Sequence, residues 1–209
     1  YPDKDWLLNA LKIFNADSKI GAVGGPNVTS PDDGFWEKVG GFIYESYLTS
    51  GKAQLRFIPK RKRYVMELQG VNLIIKKDIL NKLGGFKSRL YSGDDSKVCS
   101  NMRLSGYKIV YDPKVIVYHH RRAFPFGHLK QIKNMGTHRG FFVKAYPRTL
   151  SPIYFFPSIL TIGFIAGILI SVFFKEFRTV FLELFSLFFL LGILSAVKRA
   201  GIIKSFFVS

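Results

Sequence analysis

The sequence is almost without cysteine. Cys99 is the only one among 209 residues, so an intrachain disulfide is excluded, and with it a small fold held together by disulfide bridges. A lone thiol is typical of a domain in a reducing compartment, where cysteine behaves as a small apolar side chain. We therefore expect Cys99 to be buried.

Acidic side chains are also few. Asp and Glu number 14 against 31 Lys and Arg, which gives a formal net charge of +17. Only +3 of this lies beyond residue 150, which leaves +14 for the preceding part. Because each Lys or Arg near an anionic surface contributes about 1 kcal/mol, such a surplus favours phosphate-bearing partners. Nucleic acid, anionic lipid and a nucleotide all remain open on charge alone.

Charge of either sign is missing from a long stretch near the C-terminus. Residues 149–174 contain no charged side chain, and a second apolar run, 179–197, is interrupted only by Glu183. About 20 apolar residues cross a hydrocarbon core of about 30 Å, whereas a helix of a soluble protein seldom lacks a polar side for so long. The pattern predicts a transmembrane helical hairpin, with spans at about 151–174 and 179–197. Two core helices of a soluble protein are the alternative.

Basic residues flank this hairpin on both sides, and the turn at 175–178 is nearly balanced in charge. The flanking bases are Arg121, Arg122, Lys130, Lys133, Arg139, Lys144 and Arg148 before it, and Lys198, Arg199 and Lys204 after it. The positive-inside rule then places both flanks in the cytoplasm. We expect an integral protein of the plasma membrane, with a cytoplasmic domain at residues 1–148 and a membrane region at 149–209. Membrane lipids become partners, and nucleic acid is disfavoured.

The first 148 residues alternate between helical and strand patterns. Apolar spacing and turn residues predict helices at 6–14, 35–48, 76–83 and 96–104, and strands at 21–26, 68–75, 107–111 and 115–118. Helices that alternate with strands indicate a mixed α/β domain.

Two clusters in this domain could carry chemistry. Asp94 and Asp95 precede the helix at 96–104, where a carboxylate either caps free backbone amides or serves as a general base. His119 and His120 follow the last strand, and because neighbouring side chains on a strand point to opposite faces, at most one of them would bind a metal ion. Packed or surface histidines are the alternative.

The order of short motifs along the chain resembles the C-terminal half of the family 2 glycosyltransferase domain, of the GT-A type found in membrane-associated sugar transferases. The resemblance extends from Trp6 to about Tyr146. The motifs that carry it are Asp5-Trp6-Leu7, Gly24-Gly25-Pro26-Asn27, Gly70-Val71-Asn72-Leu73, Gly84-Gly85-Phe86, Gly93-Asp94-Asp95 with Cys99 and Arg103, Gly106-Tyr107-Lys108-Ile109, and Pro113 followed by His119-His120-Arg121-Arg122.

The resemblance implies a partial GT-A domain that transfers a sugar from a nucleotide-sugar donor to a polysaccharide or lipid-linked acceptor, with inversion at the anomeric carbon. Asp95 is then the general base, and Asp94 replaces the glutamate usual in the family. The resemblance also implies that His119 helps to bind a divalent metal ion, Mn²⁺ or Mg²⁺, which holds the nucleotide diphosphate.

Substrate contacts follow from the same resemblance, at Gly70, Asn72, Gln131 and Arg139. Gly70 offers a place where backbone can approach a ligand. Gln131 and Arg139 belong to a segment that either lies across the cleft or rests on the membrane as an amphipathic helix.

The Asp-x-Asp metal motif of the family would precede Tyr1, and Asp3-Lys4-Asp5 matches its spacing only by chance. We therefore expect these residues to be an incomplete enzyme. A catalytically inactive membrane-tethered module that binds anionic lipid or glycan is the alternative.

Overall fold

The computed structural model describes residues 1–86, 93–147 and 150–204. The chain forms two compact units, Tyr1–Thr149 and Leu150–Ser209. The boundary expected from the sequence, at residues 148 and 149, lies outside the described residues.

A mixed four-stranded sheet forms the centre of the first unit, in the order β3-β5-β1-β4. Strand β1 (Ile20–Gly24) is buried along its whole length, pairs in parallel with β5 (Lys108–Tyr111) and pairs antiparallel with β4 (Leu73–Ile75). The short β3 (Arg63–Tyr64) adds antiparallel to β5 at one edge. This sheet and the helices around it bear out the mixed α/β domain.

The two faces of this sheet pack against different helices because side chains alternate along a strand. Ala22, Ile109 and Tyr111 face α4 (Lys77–Lys82) and α5 (Asp94–Leu104), where Cys99 lies fully buried in the same cluster. Burial raises the pKa of the Cys99 thiol to about 11, as expected for a structural cysteine.

The other face belongs to α1 (Trp6–Ala16), whose Ala10 and Ile13 pack against Val23, Val110 and Ile20. Ile20 shares this face with Val23 because the register between β1 and β5 shifts between Ile20 and Ala22.

A second, two-stranded parallel sheet stands beside the first. It pairs β2 (Asn27–Thr29) with β6 (Val117–His119). The helix expected at 35–48 is divided: α2 (Phe35–Glu45) ends where Ser46 is extended, and α3 (Tyr47–Ser50) follows. The long α6 (Phe126–Ala145) completes the described part of this unit.

The second unit consists of α7 (Phe156–Phe173) and α8 (Lys175–Lys204), joined by the extended residue Phe174. The ring of Phe164 lies 5.0 Å from that of Phe185, and Gly167, one turn further along α7, lies against Phe181, one turn earlier in α8. The two helices are therefore antiparallel.

One helix in the described part of the chain, Phe156–Phe173, is long and apolar enough to cross a membrane. The second expected span, 179–197, continues into residues 193–204, whose side chains lie outside the described part. The transmembrane hairpin stays a prediction.

Candidate functional site

An open cleft of about 460 Å³ lies in the first unit. Its walls come from the one-turn 3-10 helix Gly70–Asn72, the start of α5, the residues that follow β6, and α6. Five of the seven site residues expected from the resemblance line it: Gly70, Asp94, Asp95, His119 and Gln131.

The local geometry at Gly93 places the two carboxylates at the cleft. Gly93 has φ 101°, and a Cβ there would lie 2.5 Å from the ring of the buried Phe142. The position therefore needs glycine. The turn delivers Asp94 and Asp95 into the first turn of α5, where the helix dipole favours negative charge.

Two backbone amides fix the carboxylate of Asp95. Its Oδ1 accepts a hydrogen bond from Ser96 N at 2.8 Å, and its Oδ2 accepts one from Gly70 N at 3.0 Å. The first bond satisfies a free amide in the first turn of α5, and the second connects Asp95 to the opposite wall. A bond to the helix start and a place in the cleft are thus compatible, because each oxygen retains a lone pair.

Asp94 differs from its neighbour. Its Oδ1 is buried and has no hydrogen-bond partner among the described residues. An unpaired buried acceptor costs folding free energy, and such groups concentrate at sites that receive a ligand.

Both histidines line the cleft, whereas alternation along a strand predicts opposite faces, because β6 ends at His119 and His120 lies beyond the strand. His119 is half-buried, and its pKa is lowered by burial and by Arg121. His120 Nδ1 lies 2.6 Å from Oδ1 of Asp33, a carboxylate with 1% of its side chain exposed. Oδ2 of the same carboxylate accepts from Arg121 N at 2.9 Å.

GT-A enzymes often use a divalent metal ion. Across residues 1–86, 93–147 and 150–204, no three His, Cys, Asp or Glu side chains converge to hold one. Asp94, Asp95, His119 and His120 all line the cleft, but no three of them converge, so the residues described here do not by themselves fit the metal ion that the resemblance implies.

Asn72 and Arg139 are placed beside the cleft rather than among its lining residues. Asn72 is 2% exposed. Its Nδ2 donates to the carbonyls of Pro26 and Val115 at 3.0 and 2.8 Å, and its Oδ1 accepts from Trp6 Nε1 at 2.9 Å. Arg139 donates to Ser96 Oγ at 3.1 Å, which ties α6 to the start of α5.

Helix α6 contributes to the cleft and also carries exposed apolar residues. Gln131 and Met135 line the cleft, and Gln131 Oε1 lies 3.4 Å from the Tyr44 hydroxyl that donates to it. Phe126, Leu129 and Phe141 are exposed.

Sequence reasoning missed a polar network in the wall of the cleft, centred on Arg121. This side chain is 8% exposed. Its guanidinium donates to the backbone carbonyl and to Oδ1 of Asn27 and to Thr29 Oγ1, and it lies 5.1 Å from the centroid of the Phe57 ring. Asn27 in turn donates to Gln69 Oε1 at 2.6 Å. Asn27 and Arg121 each belong to one of the motifs, but no local pattern pairs them, because they are 94 positions apart in the chain.

The chain was compared with known proteins. The model of the family described as glycosyltransferase like family 2 matches residues 2–134, and no curated protein matches. The match covers more than half of the chain, including both carboxylates, both histidines and Gln131. The chain therefore belongs to the glycosyltransferase like family 2, as its motifs predict.

Proposed function

We propose that the protein is an inverting glycosyltransferase that uses Asp95 as its general base. Its substrates are a nucleotide-sugar donor and a polysaccharide or lipid-linked acceptor. Family membership supports sugar transfer in general. The observation that carries the proposal is the Asp95 carboxylate, held by two amides at the edge of an open cleft.

In the proposed reaction, Asp95 removes the proton from an acceptor hydroxyl. The hydroxyl oxygen forms a bond to the anomeric carbon, while the bond from that carbon to the diphosphate oxygen breaks and its electron pair leaves with the nucleotide diphosphate. A single displacement inverts the anomeric configuration, and no covalent sugar-enzyme intermediate forms.

Other cleft residues take supporting roles in this proposal. Asp94 lies beside the base in the wall of the cleft, and Gly70 and Gln131 contact substrate from two walls. Arg139 supports the start of α5 through Ser96. A divalent cation, Mn²⁺ or Mg²⁺, belongs to the proposal with His119 as one ligand, and the remaining ligands are not among the described residues.

The location is part of the proposal too. Residues 1–148 form the catalytic region, and α7 and α8 are a membrane hairpin with spans at about 151–174 and 179–197. The apolar composition of Phe156–Phe173 supports a membrane span. The basic flanks support a cytoplasmic catalytic region, where nucleotide sugars are available.

Asp95→Asn in the intact protein, assayed in membranes, tests the base. We expect transfer to fall by about 10²- to 10⁴-fold, the usual contribution of a general base, while the nucleotide sugar still binds. Asp78→Asn is the matched control, since Asp78 also lies in the first turn of a helix, α4, and is exposed. Transfer by Asp95→Asn at the rate of wild type would exclude this assignment.

The same assay decides between enzyme and binding module. If the intact wild-type protein neither hydrolyses nor transfers from any nucleotide sugar, yet binds vesicles of anionic lipid, the inactive module is the correct interpretation. Product analysis by NMR tests inversion, because retention of the anomeric configuration contradicts a single displacement.

A further inference from the structure

We infer that Asn72 is a positioning residue, which sets the Gly70 amide against Asp95 and makes no contact with substrate. This inference rests on the proposed function of Asp95. It is based on the hydrogen bonds that hold the 3-10 turn Gly70–Asn72 at both of its ends.

Both donors of the Asn72 side chain are used inside the fold. Both hydrogens of its amide are donated to the carbonyls of Pro26 and Val115, and its oxygen accepts from the Trp6 indole. Only 2% of the residue is exposed. Asn72 thus ties together α1, the end of β1 and the segment before β6, and it reaches no substrate in the cleft.

This anchor is transmitted to Gly70 through very little backbone. Gly70 and Asn72 are the first and last residues of the same 3-10 turn, which is closed by a hydrogen bond from Asn72 N to the carbonyl of Gln69 at 2.9 Å. A turn of three residues has few free dihedral angles. Fixing its last residue therefore fixes the direction of its first amide, which donates to Asp95 Oδ2.

The other end of the turn is held independently. Gln69 Oε1 accepts from Asn27 Nδ2, and Asn27 is held by the buried guanidinium of Arg121. The turn also presses against β1, since a Cβ at Gly24 would lie 2.1 Å from the carbonyl oxygen of Asn72. The turn is thereby fixed by the core of the domain on one side and presents a single amide to the cleft on the other.

The direct test is Asn72→Asp in the intact membrane-embedded protein. A carboxylate of the same shape puts an oxygen where the amide nitrogen faced two carbonyls, so the turn and the Gly70 amide shift. We expect kcat to fall by about 10-fold or more, as for loss of a charge-assisted hydrogen bond, with the KM for the donor changed by less than about twofold, since uniform substrate binding is retained.

The pH dependence supplies a signature that a general loss of stability would not produce. A protonated aspartic acid regains one donor toward the carbonyls, so the kcat of Asn72→Asp relative to wild type should rise as the pH is lowered. Asn81→Asp is the matched control, because Asn81 is exposed on α4. It should keep the wild-type kcat and pH profile.

Each outcome decides the inference. A folded Asn72→Asp protein with wild-type kcat overturns it, and so does a loss that lies in KM, which would indicate direct substrate contact. If Asn72→Asp does not fold, Trp6→Phe decides, because it keeps an aromatic ring and removes only the donor to Asn72 Oδ1. An unchanged kcat in Trp6→Phe then overturns the inference. Failure of the proposed function is distinguishable, since Asp95→Asn would then retain wild-type transfer.

Discussion

Replacing Gly70 by proline removes one hydrogen atom from the site and leaves the local backbone acceptable. Gly70 N donates to Asp95 Oδ2 at 3.0 Å. Gly70 is the first residue of its 3-10 turn, a position that tolerates proline, and Gln69 before it has φ −79° and ψ 141°, the conformation favoured ahead of proline. The substitution therefore tests the amide donor rather than the turn.

The expected loss can be estimated from this single bond. A hydrogen bond to a charged group contributes about 1.5–3 kcal/mol, which corresponds to a rate decrease of about 10- to 150-fold if the full interaction is needed in the transition state. The proline ring also occupies the space of the lost hydrogen and displaces the Asp95 carboxylate. We therefore regard this range as the minimum loss in kcat for Gly70→Pro.

Gly70→Ala distinguishes the loss of the amide hydrogen from the effect of added side-chain volume at this position. Alanine keeps the N–H, and its Cβ would lie 3.9 Å from both Cβ and Oδ2 of Asp95, an ordinary contact. Its kcat should stay within about twofold of wild type, since no hydrogen bond is lost. A raised KM for Gly70→Ala would indicate that substrate approaches the backbone of Gly70.

The assay is release of nucleotide diphosphate and labelled sugar transfer by membranes that contain the protein, with the best donor from a screen of nucleotide sugars. Comparable kcat values for Gly70→Pro and Gly70→Ala would refute the reasoning, because the two variants differ in the amide donor to Asp95.

Two further predictions concern stability. Gly93→Ala should lower the free energy of unfolding by about 2–5 kcal/mol, because it combines left-handed backbone strain with overpacking against Phe142. Gly106→Ala is the control, because Gly106 has φ 82° and open space around it, so it should cost only backbone strain of about 1–2 kcal/mol. Thermal unfolding in detergent compares the two variants. Equal melting temperatures would contradict the expected clash with Phe142. Burial lowers the pKa of His128 from its ordinary 6.5, and neither ring nitrogen has a partner in the described part of the chain. His128 therefore binds a proton more weakly in the folded state than in the unfolded chain. The free energy of unfolding should decrease as the pH falls below about 6.5, because protonation then favours the unfolded chain. His128→Leu should make the free energy of unfolding less dependent on pH. An identical pH dependence in wild type and His128→Leu would argue against this role of His128.

Much of the secondary structure could be predicted because its causes are local. Apolar spacing predicts α1. The Gly84-Gly85 pair predicts the end of α4, the short helix that precedes these two glycines. Both glycines have positive φ, 83° and 71°, as a left-handed cap requires. The expected helix at 35–48 differs from the structure because Ser46 is extended and divides it.

The candidate site could be predicted only in part. Asp94 and Asp95 are adjacent in the chain, so their place at a helix start follows from the glycine before them and the helical pattern after them. Asp33 and His120 are 87 positions apart, and no local pattern connects a turn in the first half of the domain to the end of β6.

The sequence by itself determined the family, the mixed α/β domain and the apolar helix Phe156–Phe173, because motif order, periodicity and composition are properties of neighbouring residues. Only the tertiary structure decided what Asn72 contacts. In the sequence alone, Asn72 is compatible with substrate contact because it belongs to a motif beside the cleft. Its burial against Trp6, Pro26 and Val115 depends on three segments that meet only when the sheet has formed. Hydrogen bonds between distant segments have no signature in a single sequence, so the support for Asp95 became visible only in the fold.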